Sequence, residues 1–212
     1  MAEQQARWAP QKKDTLEALA DEILHNYGRG RAIVAIDGRH DSGMFEFADA
    51  LAAVLRTRGR TVFRASIEDF HQSRARRESG LYENGYDYSL LRRVLIDPYR
   101  TAGSTGFAVT GFDAQRDEPV FQPKWKSAGL DAILLVDGVF LNRPELSGLW
   151  NYSLWLESKP ELENKPEFEG EAELQDGEDA AYIAAVNPSA KATASYNNAD
   201  PEHPRRVFAD SC

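Results

Sequence analysis

The sequence predicts an α/β fold: a parallel sheet with helices on both faces. Three observations carry this. Short apolar, β-branched runs alternate with stretches of helical periodicity. One such run, Arg31 to Ile36, leads through a turn bounded by Gly38 and Gly43 straight into a helix-patterned stretch. Another, Ala132 to Asp137, is the clearest buried strand and ends in Asp-Gly, where a parallel sheet presents its carboxyl edge to ligands.

The elements follow in order. Leu16, Leu19, Ala20, Ile23 and Leu24 share one face of a helix over 12–27, which Gly28 and Gly30 end. After the first strand and its turn, Phe47, Ala48, Leu51, Ala52 and Leu55 recur at three- and four-residue spacing, and Arg58-Gly59 breaks that helix. Thr61 to Ser66 reads as a second strand. Residues 72–86 are polar and arginine-rich and read as a surface loop. Ser89 to Ile96 reads as a short helix closed by Asp97-Pro98. Phe107–Phe112 and Glu118–Phe121 fit a hairpin or two edge strands. Tyr152 to Leu156 is another strand.

Beyond Glu157 the pattern fails. Alternating acidic and apolar residues over 161–179 fit an exposed strand or a disordered segment equally. A short helix is expected from Asp179 to Val186, stopped by Asn187-Pro188, and a last strand from Ala192 to Tyr196. The implied division is an N-terminal helix (1–29), a core (30–156), the acidic segment (157–180) and a C-terminal helix and strand (181–212) completing the same domain.

Bulk properties narrow the function. At 212 residues and 42% hydrophobic, the chain can bury one sizeable core. It has no apolar run long enough to span a membrane and no hydrophobic leader, and its one cysteine, Cys212, excludes an internal disulfide. A cytoplasmic setting, with no membrane partner, is the expectation. Net charge is −9, and ten acidic residues against two lysines between Glu157 and Asp179 supply −8 of it. No basic face points to nucleic acid. The four histidines show no metal-ligand spacing.

The turn from Gly38 to Gly43 has the spacing of a phosphate-binding P-loop: glycine, four residues, glycine, lysine, then serine or threonine. Gly38, Arg39, His40, Asp41, Ser42 and Gly43 supply the frame, whose backbone N–H groups can form a concave anion site. Met44 stands at the lysine position and Phe45 at the hydroxyl position that ligates magnesium.

Taken with five further pieces in order, this chain resembles the uridine kinase-like branch of P-loop nucleoside kinases. The pieces are Arg64-Ala-Ser-Ile-Glu-Asp-Phe-His71, Gly85-Tyr-Asp-Tyr88, Phe112-Asp-Ala-Gln-Arg116, Leu134 to Leu141 with Arg143-Pro-Glu-Leu146 after it, and Asn198 to Pro204. The resemblance covers about residues 30–156 and 186–209. It implies a three-layer P-loop kinase-like domain with a mainly parallel sheet of about five strands. It also implies transfer of the γ-phosphate of ATP, with Mg²⁺, to a nucleoside or other small hydroxyl compound.

By the same resemblance Glu68 is the base that takes the hydroxyl proton, with Asp69 the other candidate. Asp137 would hold the metal, and His71, Tyr86, Asp87, Asp113 and Arg116 would line the acceptor pocket. Two departures cut against activity. Met44 and Phe45 cannot do the work of lysine and serine. No arginine lies between Arg143 and Arg205, where the family carries an arginine-rich lid. Phosphoryl transfer is therefore expected to be weak or lost. The alternative is a non-catalytic paralogue or engineered relative, with residues 157–180 as a protein-partner surface.

Overall fold

The computed structural model describes residues 10–101, 106–158 and 169–208. The first nine and last four residues, 102–105, and 159–168 of the acidic segment lie outside them. Eight strands run in chain order: β1 (Ala32–Gly38), β2 (Val62–Ser66), β3 (Phe112–Asp113), β4 (Glu118–Pro119), β5 (Ile133–Asp137), β6 (Tyr152–Glu157), β7 (Ala194–Asn197) and β8 (Arg205–Val207). Six form the central sheet in the order β2-β5-β1-β6-β7-β8. The first five of that series pair in parallel, and β8 runs antiparallel to β7 at the edge. The sheet is thus one strand larger than expected. The extra strand is the three-residue β8, too short to show an alternating pattern.

Register explains where the site forms. Ile36 stands beside Asp137 on one side and Leu154 on the other, and Ser66 stands beside Asp137. The carboxyl ends of β2, β5, β1 and β6 therefore meet along one edge. β1 and β5 are buried over their full lengths, as strands covered on both faces must be.

Helices cover the sheet. α1 (Lys12–Tyr27) buries Leu16, Leu19, Ala20 and Ile23, and it packs against α2 (Met44–Thr57), which buries Phe47, Ala48, Leu51, Ala52 and Leu55. Each fully buried leucine or isoleucine contributes about 1.5–3 kcal/mol of transfer free energy. α1 is also bound to the far end of the chain. The Lys12 amide donates to Glu202 O at 2.9 Å, Thr15 Oγ1 donates to Pro204 O at 2.9 Å, and Arg206 on β8 pairs with Glu22.

Pro98 does not close a helix at 96, as the Asp-Pro pair suggested. Tyr88–Leu91, a π turn at Arg92–Ile96 and Asp97–Arg100 make one continuous helical run, α3. Proline has no N–H, so the Val94 carbonyl four residues back loses its helical donor. The Ala108 amide replaces it at 2.8 Å. Residues 72–86, read as loop, contain short helical turns at Arg74–Arg77 and Leu81–Asn84. A bridge between His71 and Tyr86 closes their base. The hairpin expectation holds in shortened form, as the antiparallel pair β3–β4.

α4 spans Glu169–Val186 and so begins ten residues before the expected start at Asp179. Gly170 and Gly177 depress its intrinsic propensity. The contacts it makes through Asp176, Glu178, Asp179 and Tyr182 outweigh that. Among the described residues, no helix is long and apolar enough to cross a membrane.

Candidate functional site

The site starts at the turn between β1 and α2. Gly43, just before α2, has φ +70°, a left-handed conformation that glycine adopts at no steric cost. Gly38 is needed for space: a Cβ there would sit 2.2 Å from Ser42 Oγ and 3.0 Å from the Leu156 carbonyl oxygen. Asn198 Nδ2 holds the turn from outside by donating to Ser42 O at 2.8 Å. Ser42 is buried, and its Oγ has no hydrogen-bond partner among the described residues. Asp41 is exposed at the rim, where it accepts from Ser158 Oγ at 2.6 Å.

Beneath the turn, Asp37 is fully buried. Its carboxylate accepts from Tyr182 Oη at 2.5 Å, from the Asn142 amide and Asn142 Nδ2 at 2.8 Å each, and from the Gly38 amide at 2.9 Å. Burial pushes its pKa up to about 6, against the lowering effect of these donors.

Around the first residues of α2 and the end of β5 the chain's own side chains fill the space. Met44 is buried in the core, and Phe45 is 59% exposed at the start of α2. Arg64, from β2, fills the space before Asp137. Its Nη2 lies 2.5 Å from Asp137 Oδ1, its Nη1 bonds Asp49, and its guanidinium stands 5.3 Å from the Phe45 ring centre. Burial raises the Asp137 pKa, and the Arg64 charge and hydrogen bond oppose that shift. Magnesium requires several oxygen ligands. Here the Phe45 side chain offers none, and the Asp137 carboxylate is held by a guanidinium. The residues present do not fit Mg²⁺.

Glu68, His71 and Tyr86, three of the sequence candidates, come together. Glu68 lies in the 3₁₀ turn Ile67–Phe70, whose start Ser66 caps by accepting from the Glu68 amide. Its carboxylate accepts from Tyr86 Oη at 2.6 Å and sits 2.9 Å from His71 Nε2. The His71 and Tyr86 rings stack at 5.0 Å. Burial pushes the Glu68 pKa up, but the hydrogen bonds from His71 and Tyr86 outweigh it and hold the carboxyl below its usual range. Asp69 goes the other way: burial, then the neighbouring Asp137 and Glu68 charges, raise it.

The remaining sequence candidates scatter. Asp87 caps α3 by accepting from the Leu90 amide at 2.8 Å. Asp113 accepts from the amides of Gln115 and Arg116 on the β3–β4 hairpin. Arg116 points largely to solvent there, 3.8 Å from Asp113. Neither hairpin residue joins the Glu68 cluster through a hydrogen bond.

α4 covers the turn with acidic side chains. The His40 amide donates to Asp179 Oδ2 at 3.1 Å, and His40 Nδ1 lies 2.8 Å from Asp179 Oδ1. Arg39 Nη2 donates to Asp176 Oδ1 at 2.9 Å. The Leu81 amide donates to Glu178 Oε1 at 2.5 Å. Burial lowers the His40 pKa, but the Asp179 hydrogen bond and charge, with Glu68 and Glu178 behind them, raise it overall.

Sequence reasoning missed Asp37, Arg64, Tyr182 and the carboxylates of α4. Arg64 and Asn198 lay inside matching segments without a role. Asp37 carried a signal of its own, an acid closing an apolar strand, that the glycine turn beside it overshadowed.

No family model and no curated protein matches the sequence. Solved structures do match it in shape. A possible uridine kinase from Bacillus stearothermophilus superposes with a TM-score of 0.70 at 20% identity, over 86% of this chain and 97% of that one. A candidate fructose transport system kinase from Silicibacter sp. TM1040 gives a TM-score of 0.53 at 24% identity, over 92% and 97%. The parallel sheet, the glycine-bounded turn after β1 and these superpositions agree: the chain has the uridine kinase-like P-loop kinase fold.

Proposed function

We propose that this protein keeps the acceptor half of a small-molecule kinase and has lost the phosphate-donor half. It binds a nucleoside-like or other small hydroxyl compound beside Glu68, His71 and Tyr86, and phosphoryl transfer from ATP is weak or absent.

The Arg64–Asp137 contact carries this reading. A kinase of this fold needs the strand-end carboxylate free for a metal and a hydroxyl at position 45 to share it. Here both are gone together, and so is the loop lysine. Lost charge stabilisation of this kind costs on the order of 3 kcal/mol for each group removed. The acceptor side supports the binding half: an ionised Glu68, fixed by two donors, can accept a hydrogen bond from a ligand hydroxyl. A protein-partner role for 157–180 has less support, because Asp176, Glu178 and Asp179 already face the chain's own backbone and side chains.

Thermal unfolding with uridine, and with ATP in the presence and absence of Mg²⁺, tests the proposal. A ligand that binds only the folded state raises the midpoint with the logarithm of its occupancy. Uridine is expected to raise it, and ATP is expected to give no magnesium-dependent rise. A magnesium-dependent rise would overturn the reading on the donor side. Indifference to uridine and to related hydroxyl compounds would overturn it on the acceptor side.

A further inference from the structure

A P-loop binds anions because backbone N–H groups and nearby cations converge on one small volume. In this chain one amide of the turn, that of His40, already donates to an internal carboxylate. Asp179 is 2% exposed, and one of its oxygens accepts from the His40 amide while the other meets the His40 ring. Asp176, one turn earlier on the same face, takes the Arg39 guanidinium. The two basic side chains of the turn, Arg39 and His40, are therefore both engaged by α4.

The helix is fastened at two further points. Tyr182, one turn beyond Asp179, donates to Asp37 beneath the loop and accepts from the Asn142 amide at 3.0 Å, with its ring packed on Phe140 at 5.1 Å. Glu178 takes the Leu81 amide on the segment that follows His71. α4 thus bridges the glycine turn and the acceptor-side segment.

We infer that α4 is an autoinhibitory latch, in which Asp179 occupies the anion site of the loop as an internal substitute for a phosphate group. A phosphate-bearing ligand and the closed latch exclude each other. Both need the His40 amide and the Arg39 guanidinium, and a phosphate beside Asp176 and Asp179 would meet two like charges. The acidic segment acts by seating its carboxylates on the loop, not only by repelling nucleotide from a distance. This rests on the reading above only in taking residues 38–43 as an anion-binding loop.

Inorganic pyrophosphate is the probe, titrated by calorimetry into the unmodified protein and into the Asp176→Asn and Asp176→Asn/Asp179→Asn variants. The double variant should bind at least ten-fold more tightly than the unmodified protein. The single variant should move the same way by less. Asp176 has a side chain 71% exposed, so its replacement leaves folding intact even if the buried Asp179 cannot be changed. Equal affinities in all three proteins, or binding in none, would overturn the latch.

Hydrogen exchange supplies a second readout. Pyrophosphate added to the unmodified protein should protect 38–43 and speed exchange over 174–181. Protection of the loop with α4 unchanged would refute the exclusion. Uridine binding, measured alongside, separates the two proposals. A variant that gains pyrophosphate affinity while no protein binds uridine keeps the latch and removes the acceptor reading.

Discussion

Arg64 Nη2 lies 2.5 Å from Asp137 Oδ1, so a side chain of β2 neutralises the strand-end carboxylate of β5 from within the protein. The guanidinium is spread over Asp137, Asp49, the Phe45 carbonyl and the Phe45 ring, which fixes it from four sides.

Replacing Arg64 by methionine should destabilise the protein at pH 7 by about 3 kcal/mol, because it strands a buried carboxylate. The loss should shrink toward pH 5. Asp137 already has a raised pKa, and without Arg64 it rises further, so protonation relieves the unpaired charge. Urea unfolding at the two pH values measures this. Arg64→Met/Asp137→Asn should recover most of the loss, and a double variant as unstable as the single one would deny that the pair is coupled.

Asp37 gives a different pH signature. Its folded pKa of about 6 stands above the usual 3.8, so its contribution to stability is full below about pH 4 and is lost as pH rises through 6. A shift of roughly two units corresponds to about 3 kcal/mol. Relative to the unmodified protein, Asp37→Asn should therefore gain up to that amount between pH 4 and pH 7. A stability difference that stays constant across this range would mean that Asp37 does not titrate there.

His40 should govern the latch above that window. Its folded pKa is raised, so its stabilising effect is present below the ordinary histidine value of about 6.5 and disappears as pH climbs through the folded value. The groups facing it are Asp179 and Glu178 from α4 and Glu68 from the acceptor side, all carboxylates, with the Phe140 ring edge-on at 5.7 Å. After correction for intrinsic rates, the amides over 174–181 should exchange faster at pH 8.5 than at pH 6. In His40→Gln that difference should vanish. Persistence of the full effect in the variant would place the titrating group elsewhere.

Local periodicity made the framework legible. The faces of α1 and α2, the run into β5 and the turn after β1 can all be read from residues a few places apart, because burial of one face imposes spacing on neighbours in sequence. The site was legible only where its parts are contiguous, as in Gly38–Gly43 and Ile67–His71. Arg64 meets Asp137 across 73 positions and His40 meets Asp179 across 139. Only the register of β2 on β5 and the docking of α4 create those pairs. α4 itself was hidden because its carboxylates, unfavourable as a cluster in water, gain partners on another element. The π turn in α3 was hidden for a related reason: the donor that satisfies Val94 comes from Ala108, outside the helix.

The fastening of α1 to the segment around β8 has a mechanical consequence. Glu202, Pro204 and Arg206 hold Lys12, Thr15 and Glu22 across more than 180 positions of chain. The edge strand cannot peel away without loosening the helix that covers the core, and the helix cannot fray without freeing the strand. Opening at either side is thereby tied to opening at the other. The two ends of the chain close it into a clasped ring.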